Sequence, residues 1–308
     1  MRKTCLNQIY KLAGKDPRVV FMGSDLGVGN MGEFRRDFPD RFFMEGISEA
    51  NVIGMAAGMA MDGFIVYVNT IASFIVRRAL DQVVVDLCMH NLPVRLVGNG
   101  GGLVYAPLGP THQVIEDISV MRSIPNMTIV APADADEMAR LMPKTLDWPY
   151  PLYIRLAKGY DPIVTSEKHE FEIGKGVPVH YGKDVLIVTT GITMGIALEA
   201  RMTLMEKGID AGILHMHTLK PFDSKLLKEM ATPVRIIVTV EEHSVLGGLG
   251  GASAEVLAEW DGFAGKRFKR LGLPDVFPEK YGSQSTLMAL YGLSTENLAD
   301  TVLDMASK

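Results

Sequence analysis

Phe43-Met44-Glu45-Gly46-Ile47-Ser48-Glu49-Ala50-Asn51-Val52-Ile53-Gly54-Met55-Ala56-Ala57-Gly58-Met59-Ala60 decides how the rest of the chain is read. An extended apolar entry meets Ser48, a residue type suited to capping a helix, and a carboxylate follows at Glu49. The helix beyond is rich in Gly and Ala, so it can lie very close to another backbone. Its first turn then holds one acid at a crowded boundary, where proton affinities are readily perturbed. As a plain helix-start acid, Glu49 would gain under about 1 kcal/mol from the helix dipole. Glu45 is the rival acid, but it precedes the turn at Gly46 and does not share the direction of Glu49.

On either side of this stretch, short apolar runs alternate with longer amphipathic ones. Val19–Gly23, Phe64–Val68, Val94–Gly98 and Met127–Val130 read as buried strands, and 77–90 and 135–146 as helices. Continuous apolar strands separated by helices imply a parallel sheet covered on both faces. The alternation restarts with strands at Asp184–Thr190, Ala211–His217 and Arg235–Val240, and helices over 194–208 and 224–230. The fold class expected is α/β, with two doubly wound domains of mainly parallel sheets. Their boundaries are set at 1–168 and 183–308, with a Pro/Gly-punctuated linker over 169–182.

The 308 residues are 47% hydrophobic and 22% charged, which fits two soluble domains of about 150 residues each. A net charge of -5 argues against a nucleic-acid groove or an anionic membrane as the main partner. Cys5 and Cys88 form neither a disulfide framework nor a zinc pattern, and a reducing, cytoplasmic setting is expected. The first residues lack the apolar core of a signal peptide, and no run of about 20 apolar residues suggests a membrane span.

In open parallel sheets, ligands sit beyond the carboxyl ends of the strands. Ser24-Asp25-Leu26, Gly46–Glu49, Asn69–Phe74 and Gly98–His112 all fall there and could converge on one crevice. His112 lies in Gly109-Pro110-Thr111-His112-Gln113, where it could move a proton near neutral pH or simply bond a neighbour. Gly98-Asn99-Gly100-Gly101-Gly102-Leu103 and Gly247-Gly248-Leu249-Gly250-Gly251 are glycine-rich, but neither fits G-x-G-x-x-G. Tight turns explain them better than a nucleotide. Glu241, Glu242 and His243 read as domain contacts.

Taken together, these residues resemble the C-terminal two-thirds of a transketolase. The resemblance is carried by Gly46-Ile47-Ser48-Glu49, Ala79-Leu80-Asp81-Gln82, Gly109-Pro110-Thr111-His112-Gln113, Ala131-Pro132-Ala133-Asp134, Lys220-Pro221-Phe222-Asp223 and Val240-Glu241-Glu242-His243 with Gly247-Gly248-Leu249-Gly250. Their order covers nearly the whole chain. The resemblance implies a pyrimidine-binding domain, a transketolase C-terminal domain and thiamine diphosphate as cofactor. It implies that Glu49 bonds the aminopyrimidine ring nitrogen and favours the imino tautomer that deprotonates the thiazolium. That role needs a carboxyl in a dry place, and burial at a subunit seam, allowed by Gly54 and Gly58, must outweigh the helix dipole. Phe74, or its neighbour Ile75, resembles the aromatic position that stacks on the aminopyrimidine. Asp25 resembles the acid of the turn near the thiazolium, and His112 the histidine that contacts substrate. Arg155 and Lys158 resemble a basic segment that can meet a substrate phosphate.

The family's Gly-Asp-Gly and later Asn, which hold the diphosphate through Mg2+, do not occur: Asp62-Gly63 follows Met61 and Asp261-Gly262 follows Trp260. No metal ligand is therefore assigned to this chain. The resemblance implies an N-terminal transketolase subunit that carries the metal site, most simply in an α2β2 heterotetramer. Leu108 stands where the family has an acid before Gly109, and Gly100 where it often has a histidine. A Leu cannot accept a hydroxyl hydrogen bond, so a deoxy, branched or otherwise modified sugar donor is expected. The activity implied is transfer of a two-carbon ketol unit from a ketose to an aldose. A decarboxylating carboligase of the 1-deoxy-D-xylulose-5-phosphate synthase kind, a 2-oxo acid dehydrogenase beta-like subunit and a non-catalytic assembly subunit are the alternatives.

Overall fold

In the computed structural model, which describes residues 1–24, 31–157 and 161–307, two mostly parallel sheets carry the chain. The strands are β1 (Val19–Gly23), β2 (Phe42–Met44), β3 (Ile65–Ile71), β4 (Arg95–Asn99), β5 (Thr128–Val130), β6 (Leu152–Leu156), β7 (Val177–His180), β8 (Val185–Thr189), β9 (Ala211–His215), β10 (Thr218–Lys220), β11 (Ile236–Ser244) and β12 (Arg267–Leu273). The first sheet runs β10-β5-β6-β4-β3-β1-β2 and the second β12-β11-β8-β9-β7. Every pairing is parallel except β10 with β5 and β7 with β9. The α/β class expected from alternation is observed.

Side chains alternate across the first sheet, as strand geometry requires. Val19 and Phe21 face the helices Arg2–Lys15 and Ala135–Thr145, within a cluster holding Leu6, Ile9, Met138 and Leu141. Val20 and Met22 face the other way, toward Val52, Ile53 and Ala56 of the helix Glu49–Met61. That second cluster does not stop at the first sheet. It continues through Ile118 and Met121 to Leu186, Val188 and Leu214 of the second sheet, so the two halves share one core. The far face of the second sheet packs against the helices Thr193–Glu206 and Thr295–Ser307.

Two differences from expectation concern the joint between the halves. Val177–His180, inside the stretch read as linker, is β7, paired with β9. Thr218–Lys220 leaves the second half to pair with β5 at the edge of the first sheet. The helix expected over 77–90 is two: Ala72–Arg78, directly after β3, is broken at Ala79, and a second begins at Leu80 and runs into a π-helical turn at Val83–Cys88. Among the described residues no helix is long and apolar enough to cross a membrane.

Candidate functional site

The order β4-β3-β1-β2 places four carboxyl ends side by side. After β2 the backbone turns through Gly46 (φ +66°), and the helix Glu49–Met61 begins. Ser48 does not cap this helix; its Oγ donates back to the Glu45 carbonyl (2.8 Å). Glu49 is 5% exposed. Phe74 stands in the first turn of the helix Ala72–Arg78, which follows β3 without a loop. Arg78, one turn further on, folds back so that its guanidinium carbon lies 3.8 Å from the Phe74 ring centroid. Its Nη1 is 3.4 Å from Glu49 Oε2. His112 also packs against Phe74, with ring centroids 5.3 Å apart and planes at 61°. Thr111 Oγ1 is 2.9 Å from His112 Nδ1, and the Tyr105 ring is centred 6.4 Å away.

The fold thus gathers Glu49, Phe74 and His112 into one group, from separate places in sequence. Arg78 and Tyr105 belong to it and were not anticipated. The spacing of four between Phe74 and Arg78 on a helix was the available signal. Ile75 does not compete with Phe74: it is fully buried in the shared core, so it has no free face to offer a ring. Leu108 is 50% exposed at the end of the short turn Ala106–Leu108, ahead of Gly109. Asp25 and Lys158 lie outside the described residues.

Arg155 corrects the expectation of a phosphate contact. It is 7% exposed, and its Nε donates to Asp117 Oδ2 (2.7 Å). Tyr153 Oη donates to the same oxygen (2.8 Å), and Arg155 Nη2 to the Glu242 carbonyl (2.9 Å). A cation so enclosed is not open to a substrate. Burial alone would raise the Asp117 carboxyl and lower Arg155, but facing each other they shift oppositely, Asp117 below and Arg155 above its ordinary value.

The two glycine runs serve this enclosed region. Gly102 has left-handed backbone (φ +73°), and a Cβ there would fall 2.5 Å from Glu242 Cδ. Glu242 Oε1 accepts from Leu103 N (2.8 Å) and Gln284 Nε2 (2.9 Å). In the second run, Gly248 lets the backbone pass Glu241, whose carboxylate takes Leu249 N (2.6 Å) and Gly250 N (2.8 Å) at the start of the helix Leu249–Ala258. A side chain therefore holds the place an anion takes at the helix start of a nucleotide fold. Burial pushes Glu241 and Glu242 each up to about 7, against these amide donors and Arg155. His243 closes the set: its Nδ1 donates to the Ser244 carbonyl (2.7 Å) and its Nε2 accepts from Ser119 N (3.3 Å).

Comparison with known proteins agrees with this architecture. Residues 1–160 match the transketolase pyrimidine-binding domain, and residues 174–298 the transketolase C-terminal domain. A transketolase C-terminal section of Methanocaldococcus jannaschii is 36% identical, over 100% of this chain and 96% of that protein. One of the subunits of an apulose-4-phosphate transketolase from Phocaeicola vulgatus is 35% identical, over 100% of this chain and 97% of that one. A solved split-gene transketolase, an inactive β4 tetramer, superimposes with a TM-score of 0.91 at 36% identity, covering 99% of this chain and 98% of that one. The chain belongs to the transketolase family, as a C-terminal section made of the pyrimidine-binding domain and the C-terminal domain.

Proposed function

We propose that this chain is the C-terminal subunit of a split, thiamine diphosphate-dependent transketolase that moves a two-carbon ketol unit from a ketose to an aldose. The observation that carries this reading is the grouping of Glu49, Phe74 and His112 around Arg78 at neighbouring strand ends. A dry carboxyl beside an aromatic face suits a flat, nitrogen-bearing ring. Next to them in sequence, the Ser73 hydroxyl and both amide atoms of Gln113 are buried and without a partner among the described residues, so polar capacity is left for a ligand.

Thiamine diphosphate, when bound, supplies the carbon nucleophile for the ketose carbonyl and a sink for the electron pair released on C–C cleavage. Glu49, shielded from water by its burial, would hold a proton at the pyrimidine nitrogen. Phe74 would orient the ring by its face, which Arg78 covers here. His112, tied at Nδ1 to Thr111, exchanges a proton with a substrate hydroxyl through its other nitrogen.

The missing Gly-Asp-Gly motif supports an N-terminal partner that grips the diphosphate through Mg2+, in an α2β2 assembly. The inactive β4 form of the solved relative supports the same dependence on a partner. A cytoplasmic, carbohydrate-handling role is part of this reading. Leu108 offers no acceptor beside the His112 turn, so the donor we infer lacks or modifies the hydroxyl an acid would read there. The test is turnover of a donor panel by the assembled complex. Glu49→Gln lowers the rate by about 100-fold or more while the complex still elutes intact. A near-wild-type rate in that variant refutes the reading, and robust turnover of ordinary xylulose 5-phosphate refutes the altered donor.

A further inference from the structure

The turn that carries Leu108 and His112 is not held by its own domain alone. Its base is clasped by Gly102 N donating to Val114 O (2.7 Å) and Val114 N to Gly102 O (3.1 Å). Leu103 and Ala106, at its start, pack into the second domain's own cluster with Ile187, Val240 and Leu273. At its end, Ser244 N donates to Ile115 O (2.7 Å) and Ser119 N to His243 Nε2 (3.3 Å). Both ends therefore rest on the last residues of β11. The carboxylate of Glu242 is the centre of this footing: it takes the Leu103 amide, it is braced by Gln284, and its own carbonyl takes Arg155. Beneath it Arg155 is fixed by Asp117, which also takes Tyr153. The carboxylate lies where a Cβ at Gly102 would fall, 2.5 Å from Cδ, so only a glycine there lets it sit this close under the turn.

We propose that Glu242 is a positioning residue for the proposed reaction: through the Leu103 amide, the second domain sets where His112 stands over the substrate. This rests on the reading of His112 given above, and it gives the second domain, which supplies none of the reacting groups, a part in catalysis. The Glu242 side chain touches neither His112 nor any reacting atom; it acts by fixing the backbone between 103 and 113. Placement errors of about 1 Å can cost on the order of 100-fold in rate.

The test combines kinetics of the assembled complex with amide hydrogen exchange of the full chain. In Glu242→Ala, exchange at Leu103 and across 103–113 rises, while amides of β8 and β12 keep their protection. The donor kcat falls by about 10- to 100-fold with a much smaller change in KM. Glu242→Gln, whose side-chain carbonyl still accepts from both donors, recovers most of the loss. Unchanged exchange at 103–113, equal losses in the Ala and Gln variants, or loss of protection throughout the second sheet would each overturn the proposal. Should Glu242→Ala not fold, Gln284→Ala removes one brace only and shows the same exchange signature with a smaller fall in kcat; no change in either sinks the idea. His112→Asn, run beside them, separates the two claims: full activity there refutes the role of His112 and leaves the exchange result standing.

Discussion

Two polar seams join the halves of this protein, and they are built differently. The seam under the site joins side chains to the backbone of one turn: Asp117, Arg155 and Glu242 act on Leu103 and its neighbours. The far seam continues secondary structure. β10 extends the first sheet, and Ala131 N donates to His217 O (2.7 Å) as the chain approaches it. Around this join, Glu137 Oε2 accepts from Ala133 N (2.6 Å) and meets His215 Nε2 (3.0 Å), whose Nδ1 is 3.1 Å from Thr189 Oγ1. Asp134 caps the helix Ala135–Thr145 through Glu137 N and also takes Val164 N and Thr165 N of the incoming connection. His217 stacks on Phe171 at 3.9 Å. The far seam fixes which domain lies against which. The near seam fixes a local geometry, so damage to the two should read out differently.

The largest expected effect is at the near seam. Arg155→Ala leaves Asp117 buried and uncompensated, and should cost about 3–5 kcal/mol in denaturant unfolding. It should also slow turnover in the fraction that stays folded. If stability falls and the rate per folded molecule does not, the near seam is only a brace and the contrast fails. Asp134→Ala is the matching cut at the far seam. Loss of the cap and of the acceptor for the Val164 and Thr165 amides should cost about 1–2 kcal/mol, with kcat unchanged and faster exchange at those two amides. A fall in kcat equal to that of Arg155→Ala would erase the distinction.

The smallest effect is in pH, where the seams have opposite signs. Burial alone would raise Glu137, but His215, His217 and the Ala133 amide bring it down to about 2. Burial takes His217 down to about 4. Both shifts stabilise the fold at neutral pH. The His217 part is lost as pH falls from about 6.5 through 4, and the Glu137 part as it falls from about 4.5 toward 2. Glu241 and Glu242, raised to about 7, act the other way: their contribution is complete below about 4.5 and is lost as pH climbs through 7. Unfolding midpoints against pH should therefore lose part of their acid limb in Glu137→Gln and part of their alkaline limb in Glu242→Gln. Identical profiles for the two variants would contradict the assignment.

The residues of the candidate site whose grouping could be read in advance are those where local pattern and strand-end position coincide. Glu49 follows a strand and a glycine turn, Phe74 follows β3, and His112 sits in a motif of its own. Arg155 departs from the phosphate contact that the resemblance implies because it is buried against Asp117. Its period-two partner Tyr153 was the better guide, since both face Asp117 from one side of β6. The glycine runs failed the dinucleotide spacing, and the reason is now physical: Glu242 and Glu241 occupy the space the missing side chains leave. β7 and β10 were not legible because each is short and stabilised by a partner distant in sequence. The Ser48 cap failed because its hydroxyl found the Glu45 carbonyl first.

Thr218–Lys220 carries a consequence for how this polypeptide can be divided. It covers the outer rim of β5, and the Lys220 amine reaches back to the carbonyl of Arg122 (2.9 Å). A version shortened to end before residue 177 would leave that rim bare, with ladder amides and carbonyls unmatched and prone to recruit strands from other molecules. Cloning the first half alone should give clumped material, and supplying residues 177–308 in trans should restore it. Each lobe thus depends on the other to finish its edge, whether the two come as one polypeptide or as two.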